Sequence, residues 1–267
     1  MCRMSALVAT ALSLTLVVPA MAKPVKTKPA AAAEAEAGPR RGTPEERQLA
    51  VRLEPLARAA FWAREADLDP RDTEAGVRLA EALRTLGQYD DAIQAAQRVL
   101  VLTPANYDAL MEVARAHVSK GQGFYAIDPA RQALALAPKD WRAASLLGVA
   151  YEQADRDDEA LAAHLQAQKL SPENPGVLTN LALFYAAHDN PARAEALLRE
   201  AAARPDATVA VRQNLALILG LQGRLDEAEK LARQDLPPEA VANNLAYLRA
   251  ASAAGGGRNW DTLKTAQ

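Results

Sequence analysis

The chain has 267 residues, a formal net charge of −2, and a composition that is half hydrophobic but only 4% aromatic. Alanine supplies much of the hydrophobic half, which suits closely packed helices and argues against a sheet, where branched and aromatic side chains are favoured. The single cysteine, Cys2, leaves no pair for a disulfide framework.

Residues 1–22 read as a signal peptide. Arg3 gives a positive start, Ala6 to Val18 form a short apolar core, and Ala20-Met21-Ala22 puts small residues where a signal peptidase reads them. The apolar run is short for a bilayer span, which needs about 20 residues. Cleavage is expected after Ala22. The mature chain would then be periplasmic or secreted, with no integral membrane span and no thiol for catalysis; an uncleaved anchor is the alternative. Cys2 precedes the apolar run, so it does not match the lipidated cysteine of a bacterial lipoprotein. Residues 23–43, rich in Ala, Pro and Lys and without apolar period, read as a disordered tether. Beyond Arg3 and the tether, 25 basic and 31 acidic residues remain. That acidic balance is a poor match for nucleic acid, whose phosphates need a basic surface.

Residues 44–72 read as a helix beginning near Glu45, followed by a partial repeat in which Phe61-Trp62 would cover the first full copy. Residues 73–242 carry five copies of a 34-residue pattern. Ala92, Ala126, Ala160, Ala194 and Ala228 stand in one column. Leu79, Val113, Leu147, Leu181 and Leu215 form another, each followed by a small residue: Ala80, Ala114, Gly148, Ala182 and Ala216. Paired small columns mark helices that cross closely. Breaks recur before each alanine, at Leu86-Gly87-Gln88, Gly121-Gln122-Gly123, Ala154-Asp155-Arg156, His188-Asp189-Asn190 and Gln222-Gly223-Arg224. Pro70, Pro104, Pro138 and Pro172 punctuate the ends of second helices. Asp128-Pro129, Asn174-Pro175 and Asn190-Pro191 each place a capping side chain before proline. The second copy is therefore expected to start its second helix late, near Pro129, after a longer loop. Pro237-Pro238 cuts the fifth copy short. The chain from 238 to 254 reads as a capping helix, with 243–254 beyond the last copy, and 255–267 as a flexible tail.

These residues resemble the tetratricopeptide repeat (TPR) family. The match is fullest over Trp141 to Asn174, where Leu147-Gly148, Tyr151, Ala160, Ala167 and Pro172 fall on the family's signature. Ala96, Ala130, His164, Leu198 and Ala232 depart from it, occupying a position that is often aromatic. The resemblance implies an all-α, right-handed superhelical solenoid of antiparallel helix pairs, and a scaffold for protein–protein interaction rather than an enzyme. The run Arg233 to Arg249 and the stretch Gly121 to Ile127 resemble, more narrowly, secreted TPR proteins of the tight-adherence (Flp) pilus system. That likeness implies a role in envelope assembly of a pilus secretion channel.

No phosphate loop, zinc motif or nucleophile elbow is present. His117, His164 and His188 lie in different copies, so neither a metal site nor any cofactor is expected; His117 and His164 fall on packing positions and His188 in a turn. One column rises above scaffold. Asn180, Asn214 and Asn244 precede the apolar column, with Thr179, Gln213 and Asn243 before them and Leu183, Leu217 and Tyr247 two residues after it. In TPR proteins the first helices line the concave groove, so these phases point inward. Asn is a mediocre helix former, and it carries both a donor and an acceptor. A ladder of three could grip the main chain of an extended peptide from a cell-envelope partner. Alternatively the amides bond to neighbouring helices, in a structural or self-associating solenoid. Toward the N-terminus the same face is charged and mixed (Glu74, Arg78, Glu81, Glu112, Arg115); Arg142 there could take a partner's carboxylate, the alternative being ordinary solvated surface.

Overall fold

The computed structural model describes residues 40–253. The expected signal peptide (1–22), nearly all of the expected tether (23–43) and the expected tail (255–267) lie outside the described residues. Thirteen helices follow one another, with no strand among the described residues. They are α1 (Pro44–Ala50), α2 (Pro55–Leu68), α3 (Thr73–Thr85), α4 (Tyr89–Leu102), α5 (Tyr107–Ser119), α6 (Gly123–Leu136), α7 (Trp141–Glu152), α8 (Asp157–Leu170), α9 (Pro175–Ala187), α10 (Pro191–Ala202), α11 (Val209–Leu221), α12 (Leu225–Ala232) and α13 (Pro238–Ala253). The pairs α3–α4 to α11–α12 are the five repeats.

Within a pair the helices pack together, and each first helix also touches the next: α3 on α5, α5 on α7, α7 on α9, α9 on α11 and α11 on α13. Second helices make no comparable run of contacts with one another among the described residues. The first helices therefore form a close inner layer and the second helices a wider outer one, so the array is an all-α solenoid with the first helices on its concave side.

Two polar columns terminate the helices in phase. Gly87, Gly121, Asp155, Asp189 and Gly223 have positive φ, between 53° and 81°. Each follows a first helix, and the backbone closes the same way every time. The Gln88 N–H donates to Leu83 O, Gln122 to His117 O, Arg156 to Tyr151 O, Asn190 to Tyr185 O and Arg224 to Leu219 O, all at 2.9–3.0 Å. Left-handed backbone suits glycine and is tolerated by Asp. At the other end, Asp72, Asn106, Asp140 and Asn174 cap α3, α5, α7 and α9, accepting from main-chain N–H groups of the first turn at 2.9–3.1 Å. Thr208, next in the column, makes no side-chain cap bond.

The alanine column is core: Ala92, Ala126, Ala160, Ala194 and Ala228 are at most 1% exposed. The small column lies against the second helix. Where the third copy has Gly148, a Cβ would fall 2.6 Å from the His164 ring. His164 is itself buried, pairs with Glu152 and lies 5.9 Å from the Phe184 ring. In the other copies that position holds Ala96, Ala130, Leu198 or Ala232, opposite alanine rather than glycine. The one glycine in the small column thus accompanies the one imidazole.

One expectation is overturned. The second helix of the second copy does not begin near Pro129: α6 starts in phase at Gly123 and runs through the proline. Close packing decides this. A Cβ on Gly123 would lie 2.4 Å from both the Ala150 carbonyl oxygen and Gln153 Cβ, so the chain is held against α7 at this residue. Tertiary contact outweighs the roughly 3 kcal/mol cost of an interior proline. Asp128 does not cap; its carboxylate accepts from Arg131 Nη2 (2.9 Å) and Gln132 Nε2 (2.7 Å). At Asn174-Pro175 and Asn190-Pro191 the side chain does cap, as the dipeptide suggests.

The array is closed at both ends. Trp62 is buried with Ala50 and Ala75, and the Phe61 ring meets it edge-on at 5.1 Å. Below them Glu65, fully buried, accepts from the Gly42 N–H at 2.8 Å, with Arg47 Nε at 3.5 Å. Arg47 Nη2 also reaches Asp72 at 2.6 Å. Burial alone would raise the Asp72 carboxyl, but the Ala75 N–H and Arg47 outweigh it and hold it below its ordinary value. At the other end α13 seats Leu248 on Gly220, where a Cβ would stand 2.3 Å from Leu248 Cδ1.

Adjacent copies are also tied near the starts of their first helices. The Tyr107 hydroxyl donates to Asp140 Oδ2 at 2.8 Å. Burial, then this bond, pushes the phenol up to about 12. The Arg142 guanidinium, foremost, holds Asp140 down to about 2.

Two outcomes are expected. Gly148→Ala destabilises by about 1–3 kcal/mol through overpacking. In a His164→Ala background the same change becomes neutral or stabilising, because alanine is the better helix former by about 1 kcal/mol. Denaturant melts of the four proteins check the change of sign. Asp140→Asn keeps a capping side chain but loses the charge. Because the folded carboxyl titrates below its ordinary 3.8, its contribution is complete above that pH and lost as pH falls through about 2. The stability gap between the parent and Asp140→Asn should therefore be full at pH 7 and close between about pH 4 and 2.

Candidate peptide-binding face

The inner layer carries two grooves of different chemistry. The first lies across α3, α5 and α7, has a volume of about 390 Å³, and is lined by Thr73, Glu74, Val77, Arg78, Glu81, Asn106, Asp108, Glu112, Arg115 and Arg142. Its charges are largely matched within the chain. Glu112, only 3% exposed, accepts from Arg84 Nε at 2.8 Å and Arg115 Nη1 at 2.7 Å, so it joins two first helices. Arg78 pairs with Glu81 at 3.1 Å. Arg142 is exposed but already engaged: its Nε donates to both oxygens of Asp140 at 3.0 Å, and its guanidinium lies 5.9 Å from the Tyr107 ring centre. That carboxylate raises the Arg142 guanidinium above its already high value.

The second groove, of about 230 Å³, opens between α11 and α13 with α12 behind it. Ala216, Leu217, Ala228, Ala232, Val241, Leu245 and Leu248 make it apolar, and Gln213, Asn214, Asn244 and Tyr247 edge it with polar groups. Five of the ten sequence-predicted residues thus converge here: Gln213, Asn214, Leu217, Asn244 and Tyr247. The helical spacing explains the convergence, since Gln213, Asn214 and Leu217 occupy one stretch of α11 and Asn244 and Tyr247 the facing stretch of α13. Tyr247 remains 47% exposed. Gln213 also lies beside Asp235, whose carboxyl is held below its ordinary value chiefly by Arg212.

The other five lie elsewhere. Thr179 is buried, with its hydroxyl unbonded. Leu183 is half-buried and Asn243 exposed, neither on this groove. Arg142 belongs to the first groove. Asn180 donates from Nδ2 to Ser145 Oγ on α7 at 2.9 Å, the inter-repeat bond that the structural alternative calls for at this position. The sequence columns did not single out Ser145, nor the apolar floor at Val241, Leu245 and Leu248. The floor was legible in the spacing of those three along α13; Ser145 was not, because its partner lies 35 residues away on another helix.

His164 and His188 flank the Phe184 ring, and His117 lies in another copy. His117 stacks on Tyr125 at 5.6 Å between ring centres, His164 is in the core, and His188 ends α9, stacked on Phe184 at 4.1 Å. Among the described residues no three metal-capable side chains converge, and no helix is long and apolar enough to cross a membrane.

Comparison with known proteins agrees with this architecture. Family models described as tetratricopeptide repeat match residues 55–109, 77–123, 126–175, 176–204 and 208–236, together well over half of the chain. A thermophilic TPR protein of Thermus thermophilus is 25% identical, covering 67% of this chain and 99% of its own, with a TM-score of 0.58. A tetratricopeptide repeat protein from Parabacteroides merdae is 15% identical, covering 82% of this chain and 89% of its own at a TM-score of 0.66. MamA from Desulfovibrio magneticus is 24% identical, covering 58% and 88% at a TM-score of 0.52. At these identities the last two share a fold and no more. No curated protein matches the sequence. With its 34-residue register, paired helices and layered packing, the chain belongs to the tetratricopeptide repeat family, a typically non-catalytic protein-interaction fold.

Proposed function

We propose that this protein is a non-catalytic scaffold that holds an extended segment of a protein partner along its concave face. The convergence of Gln213, Asn214, Leu217, Asn244 and Tyr247 on one groove carries this reading. Apolar side chains of the partner enter between Leu217 and Leu245, while Asn214 and Asn244, each with a donor and an acceptor, bond its main chain. The matched charges of the first groove suit orientation of a partner more than strong attraction. The N-terminal signal pattern supports a periplasmic or secreted location after cleavage at Ala22. The runs Arg233 to Arg249 and Gly121 to Ile127 support a partner in pilus or secretion-channel assembly. In a second reading the Asn column is internal to a structural or self-associating solenoid. The Asn180–Ser145 bond favours it, but only at that position.

Proximity labelling in the native host's envelope identifies the partner. With it in hand, Asn214→Ala with Asn244→Ala should abolish its recovery while changing stability by less than about 1 kcal/mol, Asn244 being exposed and Asn214 half-buried. Asn180→Ala should cost about 1 kcal/mol, the worth of an ordinary hydrogen bond, and leave recovery unchanged. Loss of stability without loss of recovery in the Asn214/Asn244 variant would instead assign that pair to the superhelix. Mass spectrometry of the protein taken from its host should find Lys23 at the N-terminus; a chain that keeps residues 1–22 would refute periplasmic release.

A further inference from the structure

We infer that the α11–α13 groove has an occupant within the same chain: the segment after α13, with Trp260 as the seated side chain. The inference rests on the proposed role of this groove and adds that its occupancy is regulated. The groove's size and chemistry point to one aromatic side chain. At about 230 Å³ it is smaller than the usual 300–1,000 Å³ of a small-molecule site. Its floor is aliphatic, from Leu217, Val241, Leu245 and Leu248, and its edge carries the amides of Asn214 and Asn244. A buried tryptophan asks for that combination, an apolar bed for the ring and one acceptor for the indole N–H. The side-chain carbonyl of either Asn supplies the acceptor.

The chain itself brings such a residue within reach. The sequence after α13 reads Ala254-Gly255-Gly256-Gly257-Arg258-Asn259-Trp260-Asp261-Thr262-Leu263. Aromatics are scarce in this protein, and the other two tryptophans have places in the fold: Trp62 is buried under the N-terminal cap and Trp141 opens α7. From the last described residue of α13, Ala253, back to Tyr247 is six helical residues, about 9 Å. From Ala253 forward to Trp260 is seven residues, which span at most about 25 Å when extended. Three successive glycines permit the reversal, since glycine adopts backbone conformations closed to other residues. A tethered side chain of this kind competes at an effective concentration of order millimolar. A partner must therefore compete with it, and its apparent affinity falls by the fraction of grooves the tail leaves free.

The test uses the full chain labelled with 5-fluorotryptophan, the Trp260 ¹⁹F resonance being assigned by Trp260→Phe. A synthetic peptide of residues 254–267 supplies the free reference. The expected result is a Trp260 resonance displaced from the peptide's, independent of protein concentration, and returned to the peptide position by Leu217→Asp. Unchanged Trp62 and Trp141 resonances in that variant show that the fold is retained. Coincidence of Trp260 with the free peptide in the parent protein overturns the inference. So does displacement that survives Leu217→Asp, or that vanishes on dilution, which would place the tail elsewhere or in a second copy. Trp260→Ala should raise recovery of the envelope partner severalfold. If Trp260 is seated but recovery ignores both Trp260 and Leu217, the tail contact stands and the concave-face reading of partner binding falls. If Trp260 is free while Asn214→Ala with Asn244→Ala still abolishes recovery, the reverse holds.

Discussion

Each repeat is held where a small residue of the first helix meets the face of the second. Helices that touch this closely have little room to slide, because a methyl group too many on either side opens the crossing. The residues at Ala80, Ala114, Gly148, Ala182 and Ala216 set that distance, and the buried alanine column from Ala92 to Ala228 keeps it from copy to copy. The inner stacking of first helices follows, and with it the concave face. The left-handed turn column and the cap column then only have to end each helix in time. They do so with backbone geometry and short polar side chains rather than with further core.

Most of this was legible in the sequence because a solenoid writes each constraint five times. Small residues, turn residues and prolines return at a period that no local propensity produces, so their phase identifies helix boundaries better than composition does. Where the reading failed, at Pro129, a local rule was set against a packing contact. Asp128-Pro129 has the chemistry of a helix start, yet Gly123 is pinned against Ala150 and Gln153, and the helix obeys the contact. A close approach between residues about thirty positions apart leaves only a glycine as its trace, and that glycine also reads as an ordinary turn residue.

The candidate face was legible in part. The phase of the Asn column placed Asn214 and Asn244 on the inner layer because helical spacing is strict. It could not distinguish them from Asn180, whose amide is taken by Ser145. A hydrogen bond between neighbouring copies depends on how two helices are rotated about their own axes, and a few degrees decide whether an amide faces a groove or a neighbour. The charged first groove shows the same limit. Its residues could be named from the sequence, but the pairing of Glu112 with Arg84 and Arg115 belongs to the folded arrangement.

The imidazole beneath Gly148 also ties two positions of the third copy to each other. With alanine at 148, the ring of His164 would have to shift, since the added Cβ would stand 2.6 Å from it. With glycine already at 148, the same histidine finds space, a carboxylate partner in Glu152 and a neighbouring ring in Phe184. The glycine, costly to a helix on its own, is thus what makes room for the histidine. A change at either residue is therefore felt at the other, and the third copy carries a pairwise constraint at a crossing that its four sisters fill with alanine or leucine.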